Sequence, residues 1–109
     1  MFVLVDLAAH PPVVTLEEPD DTRRFHVTVR GGQPGADTAL VFGALVDAAA
    51  GRLEGDAAWI TVDAVRRLAA GHVSAGWGDD LTAMLAYADS QGWFDPATHA
   101  LRAHVEWIP

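Results

Sequence analysis

Alternating apolar and polar residues mark residues 23–30 as the clearest strand of the chain. One side of this segment is apolar and consists of Phe25, Val27 and Val29. The other side is polar and consists of Arg24, His26, Thr28 and Arg30. Because side chains alternate between the two faces of a strand, the pattern predicts a sheet with one face on the core and one face in water.

Two shorter segments, FVLVDL (2–7) and VVTLEE (13–18), are rich in β-branched and apolar residues and are too short for helices. They are predicted to be strands. The segment PDDT (19–22) follows the second one and contains the proline and the aspartates that turns favour. It predicts a hairpin that joins residues 13–18 to residues 23–30.

Three helices are predicted in the middle of the chain. The first, TALVFGALVDAAAG, has Asp37 as its N-cap and Gly51 as its stop. Asp47 is its only charge after the cap, and a helix that is apolar on nearly all sides is usually central or covered by a partner. A short helix, DAVRRLAAG, follows with Thr61 or Asp63 as its cap and Gly71 as its stop.

The third helix has the most regular pattern. Asp79 and Asp80 stand where a helix N-terminus favours negative charge, and Gly92 stops the helix. Its predicted inward stripe consists of Leu81, Met84, Leu85 and Ala88.

The last segment, WFDPATHALRAHVEWIP, has two interpretations. Asp95 and Pro96 suit the start of a helix. Alternatively, DPATH is a turn with His99 in a left-handed conformation, and a strand follows. Only the strand places Trp107 on the same side as the other apolar residues, Leu101, Ala103 and Val105. The strand is therefore the favoured interpretation.

Strands come first in this order and helices later, which favours an α+β fold. We expect one α+β domain over residues 1–109. Its predicted form is a mostly antiparallel small sheet of about four to five strands, with two to three helices packed on one face.

Composition excludes several classes of function. The chain has no cysteine and no lysine, so disulfides, thiolate metal sites and Schiff-base chemistry are excluded. A formal net charge of −8 provides no basic face, so neither nucleic acid nor an anionic membrane is an expected partner. With no long apolar span and no signal-peptide pattern, we expect a cytoplasmic protein, and the residue usage indicates a high-GC bacterial source.

Arg102, His104 and Glu106 share one face of the last predicted strand. As a site, His104 would act as an acid or base tuned by Glu106, and Arg102 would bind an anionic ligand. The competing interpretation is a solvated strand face, where such neighbours contribute only about 0.2–1 kcal/mol.

No metal site and no cofactor are expected. HExxH and calcium-loop patterns are absent, and His99 and His104 would point to opposite sides of a strand. Ser74 lies near His72 but lacks the first glycine of G-x-S-x-G, and GGQPG (31–35) lacks the lysine of a phosphate-binding loop.

The four tryptophans are interpreted first as packing residues of the core. Alternatively, one or two of them line a groove for a ligand or peptide. Trp77, between Gly76 and Gly78, is predicted to be partly exposed, and Trp77 or Trp107 would then bind a ligand beside Arg102.

These observations favour a non-enzymatic interaction or binding module that binds a protein partner or forms a homodimer. One alternative is a small-molecule binding protein or enzyme for an anionic ligand, using His104 with Arg102 and Glu106. A further alternative is an inhibitor or immunity-like protein whose acidic surface masks a basic partner.

Overall fold

Seven strands and three helices build the computed structural model, which describes residues 1–109. The strands are β1 (Phe2–Asp6), β2 (Val13–Glu17), β3 (His26–Arg30), β4 (Gly51–Glu54), β5 (Ala57–Thr61), β6 (Phe94–Asp95) and β7 (Ala100–Ile108). The helices are α1 (Thr38–Asp47), α2 (Val62–Ala69) and α3 (Trp77–Ser90). The predicted α+β fold is confirmed.

All seven strands join one sheet in the order β2-β1-β3-β7-β5-β4, and β6 pairs with the first residues of β7. β3 runs parallel to both β1 and β7, whereas the other pairs are antiparallel. The sheet is therefore mixed and larger than the mostly antiparallel sheet of about four to five strands that the pattern predicts.

This difference arises from the connection after β2. β2 returns antiparallel to β1 and pairs Leu16 with Val3. The chain then crosses to the other edge of β1, where β3 runs parallel and pairs Val27 with Val3. The predicted hairpin through residues 19–22 is therefore wrong. Alternation specifies which face a residue occupies and not which strand its backbone pairs with, so it could not distinguish these arrangements.

One cluster of buried apolar side chains unites the helices with one face of the sheet. It contains Leu45 of α1, Val65 of α2 and Leu81 of α3, together with sheet residues such as Val27 and Val105. We call the opposite side of the sheet the open face. It carries the alternate residues of the strands, which on β3 are His26, Thr28 and Arg30 and on β7 are Arg102, His104, Glu106 and Ile108.

Helix α1 ends earlier than predicted. Ala49 adopts a left-handed conformation with φ of 52°, and Gly51 belongs to β4. A Cβ at Gly51 would collide with the carbonyl oxygen of Trp59, so the close approach of β5 requires glycine there. The Asp37 side chain does not cap the helix and instead accepts a hydrogen bond from the Gln33 N–H at 2.9 Å.

The other helix starts follow the predicted signals. Thr61 Oγ1 accepts a hydrogen bond from the Ala64 N–H at 3.2 Å, which caps α2. Asp79 and Asp80 occupy the first turn of α3. At 14 residues, α3 is the longest helix, and no helix has the length and apolar character needed to span a membrane.

Strand β7 confirms the favoured interpretation of the last segment. Its inward side chains are buried or packed against the core, and they are Leu101, Ala103, Val105 and Trp107. The preceding residue, His99, has a φ of 53°, as the turn interpretation predicts. Asp95 closes this turn. The Thr98 hydroxyl donates to its carboxylate at 2.8 Å and is the main cause that lowers the pKa of Asp95.

The sheet is curled, and the curl brings β4 and β6 towards each other. β5 and β7 separate these two strands, yet Arg52 Nη2 of β4 lies 3.9 Å from Asp95 Oδ2 of β6. Since neighbouring strands are about 4.8 Å apart, a flat sheet would keep these side chains much farther apart. The Arg52 guanidinium also lies 5.5 Å from the ring centroid of Trp59, its register partner on β5.

We expect Val27→Ala to lower the free energy of unfolding by about 2 kcal/mol, because a fully buried side chain in a central strand would leave a cavity. Val13→Ala is the matched control. Val13 is 47% exposed on the edge strand β2, and its loss should stay below about 1 kcal/mol. Urea denaturation followed by tryptophan fluorescence measures both values. Equal losses would contradict this description of the core.

The ion pair between Asp6 and Arg30 predicts a pH dependence of stability. Arg30 Nη2 donates to Asp6 Oδ2 at 2.7 Å, and this hydrogen bond holds the pKa of Asp6 below its ordinary 3.8. A lowered carboxyl pKa adds stability above the unfolded pKa, and this stability is lost as pH falls through the folded pKa.

Asp6→Asn should therefore be less stable than the unchanged protein at neutral pH, and the difference should vanish as the pH falls below the folded pKa of Asp6. Urea midpoints measured between about pH 7 and pH 2 test this. Glu54→Gln removes an exposed carboxylate without an ion pair and should show no such convergence. A difference for Asp6→Asn that is independent of pH would refute the assignment.

Candidate functional site

Arg102, His104 and Glu106, the three polar residues predicted as a site, lie exposed on the open face. β3 adds His26, which is the register partner of His104 and places Nε2 4.0 Å from Glu106 Oε2. The phenyl ring of Phe2 stacks on the His26 imidazole with 5.0 Å between ring centroids. His26 and Glu106 attract each other electrostatically only when the imidazole is protonated, and an exposed pair of this kind contributes little.

The two tryptophans predicted to accompany Arg102 lie elsewhere. The expectation that Trp77 is partly exposed is wrong, since it is 9% exposed and its Nε1–H donates to the Pro19 carbonyl at 2.7 Å. Trp107 is half-buried and lines a separate hollow of about 290 Å³ with Thr38 and Leu53. The structure therefore does not bring Trp77 and Trp107 together with Arg102.

A larger concave site, which we call the α3 groove, lies beside β7 and has a volume of about 440 Å³. It forms where the strand paired with this edge of β7 changes from β6 to β3. β6 pairs with β7 at Ala100 and Leu101, whereas β3 pairs with β7 only from His104 onward. Residues before β3 and after α3 border the resulting gap. The groove is lined by Thr22, Arg23, Arg24, Phe25, Asp80, Ala83, Met84, Tyr87, Ala88, Trp93, Leu101 and Arg102.

Helix α3 supplies one side of the groove through a single stripe. The stripe follows the i, i+3, i+4, i+7 spacing of a helix face and consists of Asp80, Ala83, Met84, Tyr87 and Ala88. Ala88 also belongs to a small buried cluster with Val62 and Leu101, so the base of the groove continues into the core. The groove therefore has an apolar floor on a regular helix.

Two aromatic side chains at the groove are exposed. Tyr87 is 59% exposed and Trp93 is 41% exposed, and their rings meet edge to face with 5.9 Å between centroids. The backbone carbonyl of Trp93 accepts a hydrogen bond from the Arg102 N–H at 2.8 Å, which fixes this residue against β7. The pair presents ring surface to whatever enters the groove.

The N-terminal amino group contacts the loop that carries Arg23 and Arg24 at two positions. The amino group of Met1 donates to the carbonyl oxygens of Asp21 and Arg24 at 2.6 and 3.0 Å. Burial of this amino group lowers its pKa. Such contacts restrict the loop, so the groove is largely formed before any ligand binds.

The approach to α3 is attached to the same loop. The Asp20 carboxylate accepts hydrogen bonds from the Ser74 N–H at 3.1 Å and from its hydroxyl at 2.8 Å. Ser74 thus stabilises a loop contact, whereas the sequence suggested a weak resemblance to a nucleophile motif.

Most groove residues are not identifiable as a site from the sequence pattern. The inward stripe predicted for α3 includes Met84 and Ala88 but not the neighbouring Tyr87. Trp93 is one of four tryptophans, and the pattern places the adjacent arginines at 23 and 24 on a strand. A doublet of arginines before an apolar strand, together with an aromatic residue next to a helix stripe, was the available signal.

No group of three or more histidine, aspartate or glutamate side chains is arranged to hold a metal ion. Comparisons with known protein families, with characterised proteins and with solved structures identify no match for this chain.

Proposed function

We propose that this protein is a non-enzymatic binding module and that the α3 groove takes the apolar body of a small ligand. The observation that carries the proposal is the groove itself, which combines an apolar floor with exposed rings of Tyr87 and Trp93. Its volume of about 440 Å³ lies within the range of about 300–1,000 Å³ that is usual for small-molecule sites.

Burial of apolar surface supplies the driving force for such binding. Removal of apolar surface from water contributes about 25 cal/mol per Å². Tyr87, Trp93, Met84 and Phe25 offer that surface on several sides of one concave volume. A flat aromatic ligand would contact these side chains without a large rearrangement, because the loop before β3 is already held by backbone contacts.

Self-association through α1 is a second candidate function, which a separate observation favours. Three large apolar side chains of this helix are exposed, namely Leu40 at 55%, Phe42 at 47% and Val46 at 53%. The helix covers the core with Val41 and Leu45 and leaves its outer side uncovered. Asp47 is the only charge within it.

A second copy of the chain is the partner we propose for this helix. The net charge of −8 opposes contact between two copies, and the opposition is smallest where the surface has few charges. Two α1 helices related by a two-fold axis would cover each other's apolar side chains.

We expect Ala83→Phe to weaken binding of an uncharged aromatic probe, 2-naphthalenemethanol, by about tenfold or more, because the new ring would fill the groove. Ala86→Phe is the matched control, since Ala86 is exposed on the same helix and does not line the groove. Isothermal titration calorimetry measures both affinities. If the two variants bind the probe equally well, or if the unchanged protein does not bind it, the groove is not the binding site.

Phe42→Asp should abolish dimer formation, because it places a charge within the proposed apolar contact. Analytical ultracentrifugation up to millimolar concentration measures the association. Ala86→Asp adds the same charge to the exposed side of α3 and should leave the dimer intact. A monomer at every concentration of the unchanged protein would exclude this second function.

A further inference from the structure

The α3 groove concentrates positive charge that the protein does not neutralise. Arg23, Arg24 and Arg102 line the groove, and none of them forms an ion pair in the structure. The ion pairs that do form involve Arg30, Arg52 and His26. Asp80 is the single acidic residue that lines the groove, and it lies beyond ion-pair distance of the three arginines. An acidic chain thus leaves three of its seven arginines uncompensated at one site.

Two of these arginines lie at corresponding positions before the paired part of β3 and β7. His26 of β3 is the parallel partner of His104 of β7. Arg24 and Arg102 each lie two residues before that pair, at the same end of the two strands, and both line the groove. Like charges that line one groove repel each other. A bound anion would remove this repulsion and would be held by charge-assisted hydrogen bonds.

We propose that Arg24 and Arg102 form a clamp for the carboxylate of an aromatic ligand whose ring occupies the groove between Met84 and Trp93. This inference rests on the proposed function and adds the polar group that the ligand must carry. The planar guanidinium groups match a carboxylate in a bidentate geometry, which a neutral polar group cannot reproduce. Arg23, on the same loop, adds further positive charge beside the clamp.

The surrounding charge favours a carboxylate over a phosphate monoester. Asp80 lines the same groove, and the whole chain carries −8. Both repel a second negative charge on the ligand, so a monoanion gains the contacts with the arginines at a smaller electrostatic cost than a dianion.

The test compares three naphthalene probes that share one ring system. They are 2-naphthoate, 2-naphthyl phosphate and the uncharged 2-naphthalenemethanol. Isothermal titration calorimetry at neutral pH and low salt measures the affinity of each probe for the unchanged protein and for Arg24→Gln, Arg102→Gln and the double variant. Arg66→Gln is the control, because Arg66 is exposed on α2 and does not line the groove.

We expect 2-naphthoate to bind about tenfold more tightly than the alcohol, since charge-assisted hydrogen bonds exceed neutral ones by about this factor. Each single arginine variant should reduce the preference for 2-naphthoate over the alcohol, and the double variant should remove it. Arg66→Gln should leave all three affinities unchanged.

Other outcomes distinguish failure of the clamp from failure of the groove as a binding site. Equal binding of 2-naphthoate and the alcohol to the unchanged protein would overturn the clamp but leave the groove as an apolar site. A preference that persists in the double variant would also overturn the clamp. Tighter binding of the phosphate would overturn the assignment of a carboxylate. Failure of all three probes to bind would overturn the proposed function together with this inference.

Discussion

The backbone pairing of β7 is the constraint on which the rest of this structure depends. A buried strand must pair its N–H and C=O groups on both edges, because unpaired groups away from water are costly. β7 pairs with β5 along one edge and with two different strands, β6 and then β3, along the other. It thereby joins the N-terminal strands to the later hairpin of β4 and β5. The change of partner also leaves the gap in which the α3 groove forms.

The same strand distributes its side chains between two environments. Leu101 and Val105 join the buried clusters, whereas Arg102, His104 and Glu106 are exposed on the open face. Of these three, only Arg102 stands at the point where the partner changes, and only Arg102 lines the groove. Alternation makes Arg102, His104 and Glu106 equivalent, but the strands that neighbour β7 give Arg102 a different environment from the other two.

This arrangement of strands makes the local charge at the groove differ from the net charge of the chain. Averaged over the chain, a net charge of −8 suggests a surface that repels anions. Locally, arginines from the loop before β3 and from β7 surround an apolar floor. The apolar side of α1, with Leu40, Phe42 and Val46, does not line this groove. Binding of a small ligand and self-association would consequently use different surfaces.

The sequence by itself determined the faces of the elements. Alternation placed Val27 and Leu101 inward, the signals at Thr61 and Asp79 marked helix starts, and the position of Trp107 identified the last strand. These are local properties, since periodicity and caps depend on residues a few positions apart. Only the tertiary structure decided that β3 pairs with β1 and β7, that Trp77 is buried and that Arg24 and Arg102 line the same groove. Those features depend on contacts between distant segments, and many pairings satisfy the same local pattern.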